Sequence, residues 1–229
     1  MSDKKNVQGM ESDEIVIAKA KDFWTRYSRP LLITCAAVIV LGGGWLAYKY
    51  LVKEPKEGKA SEAMYKAEEY YRMDSVSLAL NGDGQSLGFL KVISKYGGTK
   101  AANMAHYYAG SCYIKLGDNE KALKQLKDFS TDAKQVQARA YKLMGDAAAD
   151  LGKNSDALSY YKKAAREFEE DKTSSAESLF MAAYFAARVT KDSKEAIELF
   201  KELKEKYPQT QQGFEADSYL AQLGVYNVN

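Results

Sequence analysis

Tyr113-Ile114-Lys115-Leu116-Gly117-Asp118 closes one helical pattern at a glycine, and Glu120-Lys121-Ala122-Leu123 opens the next. Thirty-five residues on, Asp150-Leu151-Gly152-Lys153 leads into Asp156-Ala157-Leu158 with the same punctuation. A glycine between two short helical segments, recurring at a fixed period of this length, predicts stacked helical hairpins, because one hairpin alone cannot bury its apolar face. Such arrays present extended surfaces to other macromolecules, so the stretch points to a protein-interaction platform.

The period extends in both directions. Lys95-Tyr96-Gly97-Gly98-Thr99 leads to Ala102, Ala105 and Tyr108, and Lys206-Tyr207-Pro208-Gln209-Thr210 leads to Gly213, Ala216 and Tyr219, an offset of 111 residues, or three steps averaging 37. Hairpins are predicted at 60–96, 101–130, 135–168 and 174–206, with a closing helix at 211–223, nine helices in all. In the first hairpin the pattern predicts one helix from Ala60 to Leu80, a break at Asn81-Gly82-Asp83-Gly84, and a second helix from Ser86 to Tyr96. Three prolines in 229 residues and many Ala, Lys, Glu and Leu favour helix over sheet, so the chain is expected to be all-α.

Upstream of the array, no charge occurs between Arg29 and Lys49, a run of 19 residues from Pro30 to Tyr48. At 1.5 Å per residue this spans about 28 Å, close to the hydrocarbon core of a bilayer. Trp24 and Tyr27 precede the run, and Trp45, Tyr48 and Tyr50 close it, where amphipathic rings favour the interface. The expected division is a flexible tail and interfacial segment over 1–29, a single transmembrane helix over 30–52, a charged linker over 53–59 and a repeat domain over 60–229. The tail proper is polar up to residue 18, and Phe23, Trp24 and Tyr27 form one side of the interfacial segment. Four Lys and Arg before the run and five after it do not choose an orientation. Gly43 and Ala47, four apart, offer a face where a second membrane helix can approach; the alternative is that lipid simply tolerates them.

The formal charge of +2 is spread over interleaved lysines and carboxylates, which argues against a nucleic-acid partner. Cys35 lies in the apolar run and Cys112 in a repeat helix, so no disulfide is expected. His106 is the single histidine and occupies a core position of the repeat. No phosphate loop and no metal-spaced His or Cys cluster is present, so the expectation is no enzyme, no cofactor, no metal and no small-molecule substrate.

Three hairpins carry a small residue in the second helix (Ala122, Ala157, Ala196), then Leu or Ile (Leu123, Leu158, Ile197), then a bulky residue (Leu126, Tyr161, Phe200). The first helices place His106, Tyr141 and Phe180 in the early large position, with Gly110 and Gly145 four later. This pattern resembles the tetratricopeptide repeat, whose small residues let the helices of a pair approach, and Pro208 matches its helix-ending proline. The resemblance implies a right-handed superhelix of antiparallel helix pairs. Three departures are visible: Tyr184 stands where the repeat prefers glycine or alanine, an insertion around Phe168–Ser175 stretches one period to 39, and the first hairpin lacks the repeat's glycine turn.

The layout of tail, membrane helix and repeats is also similar to YfgM-type ancillary subunits of the bacterial SecYEG translocon. Tyr96-Gly97-Gly98-Thr99-Lys100-Ala101-Ala102 looks like membrane-bound tetratricopeptide proteins of Bacteroidetes. That resemblance implies a bacterial inner-membrane anchor, a cytoplasmic amino terminus and a periplasmic repeat domain. Its implied partners are the Sec translocon, a membrane-anchored periplasmic chaperone or secreted clients.

Placed on the family arrangement, the first helices line a groove with Met104, Tyr107, Ser111, Ile114 and Lys115, then Arg139, Lys142, Asp146 and Asp150, then Met181, Phe185 and Arg188. Met and aromatic residues suit adaptable recognition of a partner segment. The alternative is that neighbouring helices cover these side chains. At the level of function, a chaperone-like adaptor at the translocon stands beside a structural scaffold of an envelope or secretion complex that binds no clients.

Overall fold

The computed structural model describes the backbone of residues 4–226 and the side chains of residues 16–226, in two units, 1–55 and 56–229. The first unit is dominated by α1 (Lys4–Tyr48). Its backbone is helical from Lys4, where polar composition predicted a flexible tail; Lys, Gln, Met and Glu in this stretch are good helix formers and no proline interrupts them. Residues 1–3 of the expected tail lie outside the described residues. From Val16 to Lys53 every side chain is exposed apart from partial cover on Ser28 and Lys49, and the exposed set includes Leu31, Leu32, Ile33, Val38, Ile39, Val40 and Leu41. This helix is long and apolar enough to cross a membrane.

A π-helical turn (Lys49–Lys53) passes directly into α2 (Glu54–Arg72), and Tyr48 and Glu54 on either side keep right-handed helical angles. The charged stretch 53–59 is helical, and the division between the two units falls inside it, after Pro55. Two of its side chains belong to the repeat unit. Lys56 donates to the Gly97 carbonyl at 2.8 Å, and the Glu57 carboxylate accepts the Lys100 and Ala101 amides at 2.9 and 3.0 Å.

The expected helix over 60–80 is split. Asp74 takes the left-handed region (φ 56°) after α2, and α3 (Val76–Asn81) follows as a separate turn. Gly82 then pairs with Leu87 across a tight loop in which Asp83 accepts the Gln85 and Ser86 amides. α4 (Phe89–Tyr96), shorter at its start than predicted, completes the first hairpin. Three regular pairs follow in α5 (Lys100–Lys115) with α6 (Asn119–Lys127), α7 (Lys134–Asp150) with α8 (Asn154–Glu167), and α9 (Lys172–Phe185) with α10 (Ser193–Lys206). α11 (Gln211–Gln222) closes the array, and no strand occurs among the described residues. Side-chain caps set several starts: Thr99, Asp118, Asp171, Asp192 and Thr210 each accept the amide three residues on.

Within pairs the backbones approach at glycine. A Cβ on Gly110 would lie 2.5 Å from Leu126 Cγ, and one on Gly145 would lie 2.6 Å from the Tyr161 ring. Alanine supplies much of the remaining core, which runs as two clusters, 60–112 and 122–220, that share Met104 and Tyr113 at their border. The 111-residue offset reappears as geometry. Phe89 stacks on Tyr108 with centroids 5.1 Å apart, Phe200 stacks on Tyr219 at 5.0 Å, and a third ring, Tyr71 or Phe180, stands edge-on to each pair.

The period of 39 stretches in two places, by three residues before α9 and by one in the turn after it. α9 runs on into a π-helical turn (Ala186–Thr190), which inserts one residue into a helical ladder. Up to that turn, the burial pattern of α9 follows α7 at an offset of 38: Met144, Gly145 and Ala147 are buried, as are Ala182, Ala183 and Phe185. Beyond it the offset is 39, with Gly152 (φ 69°) matched by Lys191 (φ 57°) and Ala157 by Ala196. Ala183, not Tyr184, therefore holds the small position, and Tyr184 is 40% exposed.

Candidate functional site

The first helices of successive pairs, α2, α5, α7, α9 and α11, share one face of the repeat unit, and their register decides which side chains reach it. At the corrected offset four columns emerge: Met104, Arg139 and Glu177; Tyr107, Lys142 and Phe180; Ser111, Asp146 and Tyr184; Lys115, Asp150 and Arg188. Of the sequence-derived residues on α9 and the π turn after it, Arg188 falls in the Lys115 and Asp150 column at this offset. Met181 and Phe185 are each one position off, because the extra residue lies after them in the π turn and not before them. Phe185 is 8% exposed and stands edge-on to Tyr161 at 5.8 Å, so it is core. Phe180 and Tyr184 take those two places, and Glu177 joins the column of Met104 and Arg139.

The face is only partly open. Met104, Tyr107, Ile114 and Met181 are half-buried and pack on the core, and Ser111 is 8% exposed. The Tyr107 ring lies 5.4 Å from Phe129, and burial raises its pKa. Asp146 accepts the Tyr161 hydroxyl at 2.9 Å; burial raises its pKa, against the opposing pull of that hydroxyl and of Lys142. Tyr161 thus fills the Gly145 hole with its ring and reaches the face with its oxygen.

Polar contacts run from each first helix or its end to the next repeat. The Tyr71 and Ser111 hydroxyls meet at 2.7 Å, and Lys115 pairs with Asp74 and lies over the Tyr71 ring at 5.2 Å. Asn119 donates to Asp150 at 3.0 Å, Lys142 pairs with Glu177, and Arg188 donates to Gln222 at 2.8 Å. Tyr71 escaped sequence reasoning because the first hairpin lacks a glycine turn to set its register.

The other candidates stand apart from this face. His106 bonds the Gln125 side chain at 2.7 Å between α5 and α6. Cys112 is buried, and burial pushes its thiol up to about 12, which leaves it unreactive. Gly43 and Ala47 lie on the exposed α1, and a Cβ on Gly43 would meet nothing within 4 Å.

A family model described as a tetratricopeptide repeat-like domain matches residues 21–141, and a second, tetratricopeptide repeat, matches residues 142–209. Among solved structures, the chain is similar to nearly identical TPR-like repeats of a Podosopora anserina protein named for the kinesin light chain. The TM-score is 0.55 at 12% identity, over 73% of this chain and 85% of that one. No protein of curated function matches the chain.

Proposed function

This chain belongs to the tetratricopeptide repeat-like family, and we propose that it is a membrane-anchored adaptor that holds segments of partner or client proteins on its first-helix face. The repeats make it a protein–protein interaction module. The observation that carries the anchor is α1, wholly apolar and uncovered from Leu31 to Tyr48 save for its small polar residues. Its exposed Trp24 and Trp45 are 21 residues apart, about 32 Å along a helix, which matches a bilayer's hydrocarbon thickness. Lys49 lies over the Trp45 and Tyr50 rings at 5.6 and 5.2 Å, an arrangement suited to an amine reaching headgroups from an aromatic belt.

The resemblance to YfgM-type proteins supports a finer reading: a bacterial inner-membrane protein with its repeats in the periplasm, acting as a chaperone-like ancillary subunit of the Sec translocon. Protease added to spheroplasts is expected to digest residues 56–229 while sparing the amino terminus. Protection of the repeats would place them on the cytoplasmic side and end the periplasmic reading. Photo-crosslinking from Tyr184 and Tyr107 is expected to trap partner protein more often than from Lys124 on α6; equal yields would remove the groove. A second reading, a scaffold that binds no clients, is favoured by the polar pairs that already tie one repeat to the next across this face. A scaffold gives one stoichiometric complex and no suppression of aggregation of unfolded proteins.

A further inference from the structure

Over residues 16–29, before the apolar run, α1 has two unlike sides. Val16, Ile17, Ala20, Phe23, Trp24 and Tyr27 lie on one side of the helix, and Lys19, Asp22, Arg26 and Arg29 lie on the other. All of them are exposed. Inside a bilayer an apolar side needs no cover, but Ile17 and Val16 stand seven and eight residues before Trp24, about 10–12 Å beyond the aromatic belt. At that height the apolar side meets headgroups and water, and covering it is favourable.

The helix itself limits what the cover is. α1 is one helix from Lys4 to Tyr48, unbroken at Pro30, whereas a segment lying flat among headgroups needs a break between itself and the span. The apolar side also keeps the seven-residue spacing of a left-handed helix pair. Ile17, Trp24, Leu31, Val38 and Trp45 form one line of this seam. Ala20, Tyr27, Thr34, Leu41 and Tyr48, each three residues further on, form the other. The Thr34 hydroxyl, which such a seam would bury, already donates to the Pro30 carbonyl at 2.9 Å. The places that flank the seam outside the span are Val16, Lys21, Phe23 and Ser28, with a single charge among them, so two parallel copies bring no like charges face to face. Insertion gives every copy the same direction across the membrane and sets each residue level with its twin, as an isologous contact requires. The span alone chooses no side, since Thr34, Cys35 and Gly42 lie on this one and Ala36, Gly43 and Ala47 on the other. The turns before it do.

We propose that α1 pairs in parallel with α1 of a second copy of this chain, through the side that carries Ile17, Ala20, Trp24 and Tyr27, so that the anchor is a homodimer. The pairing rests on the reading of α1 as a membrane anchor, and the test separates the two.

Two differently tagged copies of the full-length protein are co-expressed, each with Cys35→Ser, which leaves Cys112, buried and unreactive, as the one native thiol. Ala20→Cys sets a thiol on the seam, and Asp22→Cys sets one on the charged side. Oxidation of isolated membranes is expected to give a band of doubled mass carrying both tags with Ala20→Cys, and a band of single mass with Asp22→Cys. Adding Ile17→Asp to Ala20→Cys sets two carboxylates against each other across the seam and is expected to abolish the doubled band. Carbonate washing checks that each variant stays in the membrane. Equal crosslinking at the two positions, a crosslinked band with one tag only, a doubled band that survives Ile17→Asp, or no crosslink from a chain that resists carbonate overturns the pairing and leaves the anchor standing. A chain that carbonate releases is no anchor, and the pairing falls with it.

Discussion

Gly145 shows how one missing methyl group sets a helix pair. The Tyr161 ring occupies the space a Cβ would need, so Gly145→Ala forces overpacking between α7 and α8. The expected loss is about 1–3 kcal/mol, read as a lowered midpoint in thermal or urea unfolding. An unchanged midpoint would mean that the pair is not closed by this contact. Asp83 acts through charge. The Ser86 amide, then the Tyr70 hydroxyl and the Gln85 amide, hold its pKa down to about 2 from 3.8. A carboxylate with a depressed folded pKa stabilises the folded state above its unfolded value and loses that contribution as pH falls through the folded one. The 82–88 loop is thus expected to stay closed above pH 3.8 and loosen toward about 2. Exchange of the Gln85 and Ser86 amides reports this, and Asp83→Asn should make them exchange readily at every pH.

Elements begin and end here for reasons that can be tested at their caps. Lys191 takes the left-handed conformation that Gly117 and Gly152 take at the same place in their pairs, and a side chain there is strained. Lys191→Gly is expected to raise stability by up to about 1 kcal/mol. A fall instead would mean that the π turn needs the lysine side chain. At the start of α5, Glu57 reaches from α2 to two amides that no preceding turn satisfies. Glu57→Gln keeps one acceptor and removes the charge that favours a helix amino terminus. Faster exchange at Lys100 and Ala101, with exchange at Gln211 and Gln212 unchanged, is the expected outcome.

Over the whole molecule, what the sequence revealed was what repeats: the 35-residue spacing, the glycine holes and the 111-residue echo all have geometric counterparts. What it concealed was what occurs once. Asp74 breaks a helix without glycine or proline, because its left-handed angle carries no composition signal. The π turn hides a single inserted residue, which displaced Met181 and Phe185 by one position and left Tyr184 looking out of place. Residues 53–59 carry charge, which is common to linkers and to helix surfaces, and only the contacts of Lys56 and Glu57 show that the second half of the stretch belongs to the repeat unit. Between an open face and one covered by neighbouring helices the pattern did not choose, since it gives direction and not depth; Met104, Tyr107, Ile114 and Met181 are half-buried.

The matched ring clusters around Tyr108 and Tyr219 act as fixed end stops, and the regular 35-residue unit between them serves as ruler. Splicing a second copy of residues 116–150 after Asp150 would add one notch while leaving both stops intact. The longer chain is expected to match the parent in helicity per residue and to melt no lower, since each unit leans only on its neighbours. Its span would then be set by copy number alone.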